Sequence, residues 1–197
     1  MTTGSNLKVA HHGYESMPDL SPIGNWRAPQ HISGVFTDID DTLTTDGAIT
    51  SDALDALGKL KAVGLHVAAI TGRPVGWSEP FAGSWPVDAI VAENGAVALQ
   101  SLPGQGLVKR YQQDEATRQR NYARMQEVLA QIEREVPGAR RATDSPGHET
   151  DIAIDHSEFT HLPQEAIDHA VRLMRAAGMN ATVSSIHING WFGDHNK

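Results

Sequence analysis

The residue types with the clearest chemical potential are three carboxylates within four positions, Asp38, Asp40 and Asp41. Carboxylates this close repel one another, which is costly unless a cation or a phosphoryl reaction makes use of them. A calcium-binding EF-hand loop is excluded, because counting from Asp38 its obligatory glycine falls on Leu43 and its final glutamate on Ile49. The cluster is therefore a candidate for metal-assisted phosphoryl chemistry, and its alternative interpretation is a solvated acidic turn.

Short apolar runs predict the elements that position these acids. Residues 32–39, 65–70 and 87–92 are too short and apolar for helices and predict three buried strands. Between the first two, Thr50 or Ser51 can cap a helix with leucines at helical spacing. A strand, a helix and a strand within about forty residues favour a parallel pair with a right-handed crossover, and hence an α/β fold. Ligand sites of such sheets lie at the carboxyl ends of the strands, where the acids emerge.

The pattern changes beyond residue 102. Apolar stripes predict helices over 114–136 and 163–177, alternation around a Pro-Gly turn predicts a hairpin over 140–155, and residues 180–188 predict a strand. These elements form a small α+β unit separate from the parallel sheet. The domains expected are an irregular leader over 1–31, the first part of an α/β core over 32–102, an inserted α+β cap over 103–188, and a return towards the core over 189–197.

Composition excludes several functional classes. The chain has 197 residues with 40% hydrophobic residues, which fits a globular protein, and 16 basic against 24 acidic residues give a net charge of -8. That sign disfavours nucleic-acid binding. No signal peptide and no apolar stretch of about 20 residues is present, so we expect a cytoplasmic protein without a membrane partner. The absence of cysteine excludes thiolate chemistry, and neither the G-x-S-x-G nor the H-E-x-x-H pattern occurs.

The segment FTDIDDTLT resembles the first motif of the haloacid dehalogenase superfamily of phosphohydrolases, a strand ending in D-x-D-x-T. The resemblance implies that Asp38 is the nucleophile that forms an aspartyl-phosphate. It implies that Asp40 protonates the leaving oxygen and then deprotonates water, and that Thr42 braces the turn. It also implies a Mg²⁺ cofactor held by Asp38 and Asp40, since two anions approach each other only with a hard cation between them.

Three further segments extend the resemblance. HVAAITGRP is similar to the second motif, in which Thr71 and the backbone of Gly72 would contact the phosphoryl group. E-N-G-A at 93–96 resembles the Cof-like branch and implies substrate contacts from Arg73 and Asn94, although Asn94-Gly95 reads equally as a hairpin turn. SSIHINGWFGDHNK resembles the return from the cap in mannosyl-3-phosphoglycerate and sucrose-phosphate phosphatases, which puts the catalytic lysine at Lys197. The alternatives are a solvated terminal Lys197, with Lys109 as a weaker candidate.

The fourth motif, which supplies the remaining metal ligands, would follow Lys197, and Gly193-Asp194 only mimics its beginning. The resemblance therefore covers 32–197 and implies the front part of a larger enzyme. The parallel sheet would then be incomplete at its C-terminus, and the third strand would have an unpaired edge or an uncovered face. We expect a Mg²⁺-dependent phosphohydrolase of a small sugar-like phosphate monoester, impaired by the missing ligands. The alternatives are a phosphomutase on the same fold and an inactive phosphate-ester-binding remnant. Oligomeric state is not predicted.

Overall fold

A computed structural model describes residue 25 and residues 31–197, and Ser33–Lys197 forms one compact unit. The irregular leader expected over 1–31 falls almost entirely outside these residues. Within the part of the chain that the structure describes, no helix combines the length and apolar character needed to cross a membrane.

The first sheet has five strands, in the order β1-β4-β5-β6-β7. Their bounds are β1 Gly34–Asp38, β4 His66–Ile70, β5 Ala89–Ala92, β6 Val97–Leu102 and β7 Gly106–Tyr111. The first three strands are parallel to one another, and β6 and β7 follow as antiparallel hairpin arms. The α/β class and the three predicted strands are therefore confirmed. The third strand, β5, is paired on both sides, so the unpaired edge predicted for it is wrong. Among residues 31–197 the edge strands of this sheet are β1 and β7.

Two helices accompany this sheet. Helix α1 (Ser51–Ala62) begins where predicted, because the Thr50 hydroxyl accepts a hydrogen bond from Ala53 N at 3.4 Å. Helix α2 (Val75–Ala82) was not predicted, since it has only eight residues and contains Pro80. A small hairpin, β2 (Thr44–Thr45) with β3 (Ala48–Ile49), follows the acidic loop.

The second sheet is antiparallel, in the order β10-β11-β9-β8. The elements of this half are α3 Glu115–Glu135, β8 Arg140–Arg141, β9 Asp151–Asp155, α4 Gln164–Ala176, β10 Asn180–Val183 and β11 His187–Trp191. The strand predicted over 180–188 is two strands, because the backbone turns at Ser184, whose N–H donates to His187 O at 2.8 Å. The predicted cap boundary at 103 also shifts, since β7 pairs with β6 in the first sheet.

Each sheet has its own hydrophobic core. Ile39, Val67 and Ile90 belong to the first, and Met125 and Ile154 to the second; each of these side chains is at most 1% exposed. Residues 112–192, which contain the second core, are called the cap below.

Candidate active site

The parallel pairing of β1 with β4 brings the two predicted motifs together. Asp38, the last residue of β1, lies opposite Ile70, the last residue of β4, so Thr71 follows directly beside it. Thr71 is fully buried and its N–H donates to Val91 O at 2.9 Å, which fixes it to the next strand. The site therefore lies at the carboxyl ends of the parallel strands, as expected.

Asp38 is paired with the terminal lysine. Its Oδ1 accepts hydrogen bonds from Ile39 N at 2.7 Å and from Lys197 Nζ at 2.6 Å. The two charged side chains are 38% and 37% exposed, which leaves the carboxylate open to a ligand. The structure thus brings Lys197 to the position predicted from the cap-return segment. Lys109 instead contacts Glu79 at 2.5 Å and Glu149 at 2.6 Å.

Asp40 is held by the second motif. Thr71 Oγ1 donates to its Oδ2 at 3.2 Å and Arg73 Nε donates to its Oδ1 at 3.0 Å. Thr71 Oγ1 also accepts a hydrogen bond from Arg73 N at 3.0 Å, so the same hydroxyl contacts both Asp40 and Arg73. Two of the predicted catalytic residues and one predicted substrate contact are therefore directly linked.

Gly72 and Asn94 lie against each other at the floor of the site. A Cβ on Gly72 would sit 3.1 Å from Asn94 Oδ1, so any larger residue would require the Asn94 side chain to shift by a few tenths of an ångström. Asn94 N donates to Thr71 O at 3.1 Å, and its buried Nδ2 has no hydrogen-bond partner among the described residues. Asn94 has a positive φ of 55° in the turn between β5 and β6, so the hairpin-turn interpretation holds together with the predicted position in the site.

Thr42 does not reach the site. Its side chain is exposed and does not line the cavity. Thr44 lies there instead, 5% exposed, and its hydroxyl donates to Ile39 O at 3.2 Å. The bracing contact predicted for Thr42 is therefore made by Thr44, because the loop turns between them.

These groups open into a cavity of about 350 Å³ between the first sheet and the cap. The core side carries Asp40, Asp41, Gly72, Arg73 and Asn94, together with Lys197. The cap side is polar and consists of Asp144, His148, Thr182, Ser184, Ser185, Ile186, His187 and Asn189. A ligand there contacts carboxylate, guanidinium and ammonium groups on one side and hydroxyl, amide and imidazole groups on the other.

A buried cluster behind this cavity, formed by Glu93, His148 and Asp151, was missed by the sequence reasoning. The Glu93 carboxylate accepts from Val75 N at 3.0 Å, Glu149 N at 2.9 Å, Thr150 N at 2.6 Å and the Thr150 hydroxyl, so it joins the first sheet to the cap. Glu93 and Thr150 are 57 positions apart in the sequence, so no local sequence pattern predicts their contact.

The cluster contains a cation of its own. Burial opposes protonation of His148, yet the carboxylates of Asp151 and Asp144 outweigh it and raise the pKa of His148 to about 10. Burial, together with the charge of Asp151, raises the pKa of Glu93 to about 7. Glu93, His148 and Asp151 place one potential metal-ligand atom each within 4.8 Å of one another. Because the oxygens of Glu93 are filled by donors and His148 is protonated at neutral pH, we interpret the group as an ion cluster rather than a metal site.

Comparison with known proteins gives independent information on the family and the fold. A family model of haloacid dehalogenase-like hydrolases matches residues 35–155. A Thermoplasma acidophilum protein superposes with a TM-score of 0.66 at 15% identity, covering 85% of this chain and 68% of its own. The C-terminal domain of C. albicans trehalose-6-phosphate phosphatase does so with a TM-score of 0.57 at 13% identity, covering 82% of this chain and 57% of its own.

The sucrose-phosphatase of Synechocystis sp. PCC6803 has a TM-score of 0.55 at 15% identity, covering 79% of this chain and 62% of its own. The chain thus spans 57–68% of the length of these three structures. No curated protein sequence matches it. The structural likeness confirms the fold class, and the family model, which covers more than half of the residues including both predicted motifs, makes the chain a member of the haloacid dehalogenase-like hydrolase family.

Proposed function

We propose that the protein is a Mg²⁺-dependent phosphohydrolase that acts on a small, sugar-like phosphate monoester through an aspartyl-phosphate at Asp38. The observation that carries this proposal is the Asp38 carboxylate, 38% exposed and 2.6 Å from Lys197 Nζ. Lys197 and Asp40 both line the cavity next to it. A carboxylate next to a fixed cation and an acid/base partner is the arrangement that covalent phosphoryl transfer requires.

The reaction proceeds in two displacements. A carboxylate oxygen of Asp38 attacks phosphorus, the bond from phosphorus to the ester oxygen breaks, and the departing oxygen takes a proton from Asp40. Water then attacks the phosphorus, Asp40 takes the water proton, and the bond to Asp38 breaks to release inorganic phosphate. Asp40 serves both steps because Thr71 and Arg73 hold its two oxygens in place.

The remaining groups stabilise the charge of the phosphoryl oxygens. Lys197 neutralises the nucleophile and the phosphoryl oxygens during attack. The Arg73 guanidinium and the unpartnered Asn94 Nδ2 are donors that line the same cavity, and Gly72 lets the backbone come close. Each contact becomes stronger as negative charge develops, which is the condition for accelerating the reaction.

The residues present fit a hard divalent cation. Both hydrogen bonds to the Asp38 carboxylate fall on Oδ1, so its Oδ2 is without a hydrogen-bond partner among the described residues. Oxygen ligands of this kind suit Mg²⁺, which commonly keeps several waters. Asp38 would hold the ion through its carboxylate and Asp40 through its backbone carbonyl, because both carboxylate oxygens of Asp40 are bound by Thr71 and Arg73. The ion would offset the repulsion between the nucleophile and the substrate phosphate.

The substrate class follows from the cap side of the cavity. Thr182, Ser184, Ser185 and Asn189 offer hydroxyl and amide groups that exchange hydrogen bonds with a polyhydroxylated body. A volume of about 350 Å³ suits a small metabolite rather than a polymer. Two structural neighbours are named as phosphatases of sugar phosphates, trehalose-6-phosphate and sucrose phosphate. A cytoplasmic location, where such metabolites are abundant, belongs to the same proposal.

The test is hydrolysis of an aryl phosphate and a panel of sugar phosphates, with free phosphate as the readout. We expect turnover that needs Mg²⁺, stops with chelator, and falls by about a thousandfold in Asp38→Asn, because this variant removes the nucleophile. Asp46→Asn is the matched control, since Asp46 is an exposed acid of the same loop outside the cavity. Turnover retained in Asp38→Asn, an isomerised sugar phosphate without free phosphate, or phosphate-ester binding without turnover would each overturn the proposal.

A further inference from the structure

One face of the second sheet contributes a polar strand position to the cap side of the active-site cavity. In β11, Ile188 belongs to the second core, and a Cβ at Gly190 would lie 2.7 Å from a methionine sulfur of that core, so both positions face it. Because side chains alternate along a strand, Asn189 lies on the opposite face, where it lines the cavity. Its Cα partners are Thr182 on β10 and Ala153 on β9.

Asn189 presents an amide that is unpaired within the protein. The residue is 8% exposed, and its side-chain amide makes no hydrogen bond to another described residue. The amide oxygen and nitrogen are nevertheless open to the cavity. A ligand that displaces water from this amide must replace its hydrogen bonds, because a buried amide left unpaired is costly. The amide therefore favours a ligand with matching polar groups over one without them.

The other two buried cap residues that line the cavity, His148 and His187, are each paired with a carboxylate. His148 Nδ1 is bound to Asp151, and His187 Nε2 lies 2.9 Å from Glu158 Oε2. The hydroxyl of Ser184 is also engaged, since it donates to His187 O at 3.1 Å and accepts from His187 N at 3.0 Å. These contacts fix the groups around the amide, which is itself left to a ligand.

We propose that Asn189 is a specificity-determining residue that recognises two adjacent hydroxyl groups on the body of the phosphate ester. This inference rests on the proposed function and names the part of the substrate that the cap recognises. A side-chain amide carries an acceptor oxygen and a donor nitrogen side by side, and two neighbouring hydroxyls offer the matching donor and acceptor. Thr182, the cross-strand partner of Asn189, is exposed and lines the same cavity, so its hydroxyl adds a further contact.

The charge of the cap side favours hydroxyl groups over a carboxylate at this position. Asp144 lines the cavity, and its side chain is 28% exposed. Burial opposes ionisation of Asp144, but the hydrogen bond and the charge of His148 outweigh it and lower the pKa of Asp144. A carboxylate on the body of the substrate would meet this anion, whereas hydroxyl groups are not repelled.

Calorimetric titration with two phosphonates tests the proposal. The first is the analogue of glucose 6-phosphate in which a CH₂ group replaces the ester oxygen, and the second is heptylphosphonate, which has no hydroxyl groups. Neither contains a phosphate ester bond, so binding can be measured with Mg²⁺ present and without turnover. Asn189→Leu keeps the approximate size of the side chain and removes the amide. We expect it to raise the Kd of the sugar phosphonate about tenfold, because two hydrogen bonds are lost, and to change the Kd of heptylphosphonate by less than about twofold.

A 3-deoxy form of the sugar phosphonate tests whether the hydroxyls are adjacent. Any neighbouring pair among the ring hydroxyls at carbons 2, 3 and 4 includes the hydroxyl at carbon 3. We expect the 3-deoxy form to bind the unaltered protein about tenfold more weakly than the parent sugar phosphonate. In Asn189→Leu the two should bind equally, because the amide that contacts this hydroxyl is gone.

Gln164→Leu is the matched control, since Gln164 is an exposed amide of the same cap outside the cavity, and it should leave every Kd unchanged. The assignment of Asn189 would be overturned by equal affinity of the unaltered protein for the sugar phosphonate and heptylphosphonate. An unchanged Kd of the sugar phosphonate in Asn189→Leu, or an equal loss for both probes, would overturn it as well. Absence of Mg²⁺-dependent hydrolysis would contradict the proposed function instead, and the titrations would still decide the role of Asn189.

Discussion

The chain contains two groups of acids a short distance apart that differ in burial. At the active site, Asp38 and Asp40 have side chains that are each 38% exposed, and each carboxylate is joined to a cationic side chain. In the buried cluster, Glu93 is fully buried and Asp151 is 1% exposed. The first group is open to a ligand, whereas the second is closed around the His148 side chain.

The two groups of acids therefore differ in what they contribute to stability. Exposed ion pairs contribute about 0–1 kcal/mol to the free energy of unfolding, so the ion pairs of Asp38 and Asp40 add little to the stability of the fold. Buried charges are costly when a partner is lost, so the buried cluster must remain complete. The Glu93 carboxylate also joins the cap loop to α2, so it fixes how the cap sits over the site.

The largest effect on folding is expected from His148→Ala. It leaves Asp151 buried beside Glu93 without its cation, and we expect the free energy of unfolding to fall by about 3 kcal/mol. Asp38→Ala, which removes an exposed ion pair, is the matched control and should cost less than about 1 kcal/mol. Urea denaturation measures both variants, and similar losses in the two would contradict the distinction.

The next effect is the pH dependence of stability that the buried cluster produces. The pKa of Glu93 is raised by burial to about 7 from 4.5, so its contribution to the free energy of unfolding falls as pH rises between those values. The pKa of His148, raised to about 10 from 6.5, gives stabilisation that is complete below 6.5 and lost as pH rises through 10. The free energy of unfolding should therefore fall from pH 5 to pH 9.

Denaturation at a series of pH values checks this slope. Glu93→Gln should flatten the lower half of the curve. It should also shift the upper half to lower pH, because the Glu93 carboxylate is one of the charges that raise the pKa of His148. A profile of the unaltered protein that is flat or rises over this interval would mean that the cluster is not charged as described.

The smallest effect concerns the backbone contact between α2 and the cap loop. A Cβ on Gly76 would lie 3.0 Å from Gly147 Cα, so Gly76→Ala should displace the cap loop and cost about 1 kcal/mol. Gly58→Ala, also inside a helix but with nothing within 4 Å of its Cβ, should instead stabilise by about 0.5–1 kcal/mol. Thermal unfolding measures both variants. If Gly76→Ala and Gly58→Ala stabilise the protein equally, the contact between Gly76 and Gly147 does not exclude a Cβ at position 76.

Part of the candidate active site could be predicted because its residues directly follow short apolar segments of the sequence. Asp38 and Thr71 lie at the ends of short apolar strands, and the pairing of neighbouring parallel strands then brings them together. Helix α1 was found from its cap at Thr50. Thr42 was misjudged, because the direction of a side chain in a turn depends on backbone angles, and Asp41 has a positive φ of 55° that no pattern reveals.

The buried cluster was not predictable for a different reason. His148 lies in a polar loop, and its burial arises only when the cap loop packs on α2 and Glu93. The short helix α2 was also missed, since Pro80 obscures its period. Features that depend on contacts between distant segments carry no signal in local composition.

The contact between Asp38 and Lys197 joins residues 159 positions apart. Closing so long a stretch of chain is favourable only after both sheets have formed, because the entropy of the intervening residues opposes it. A partly folded chain with only the first sheet in place would hold Asp38, Asp40 and Thr71 in register and still lack its cation. In the proposed reaction, activity would therefore require both sheets to be folded, because only then does Lys197 pair with Asp38.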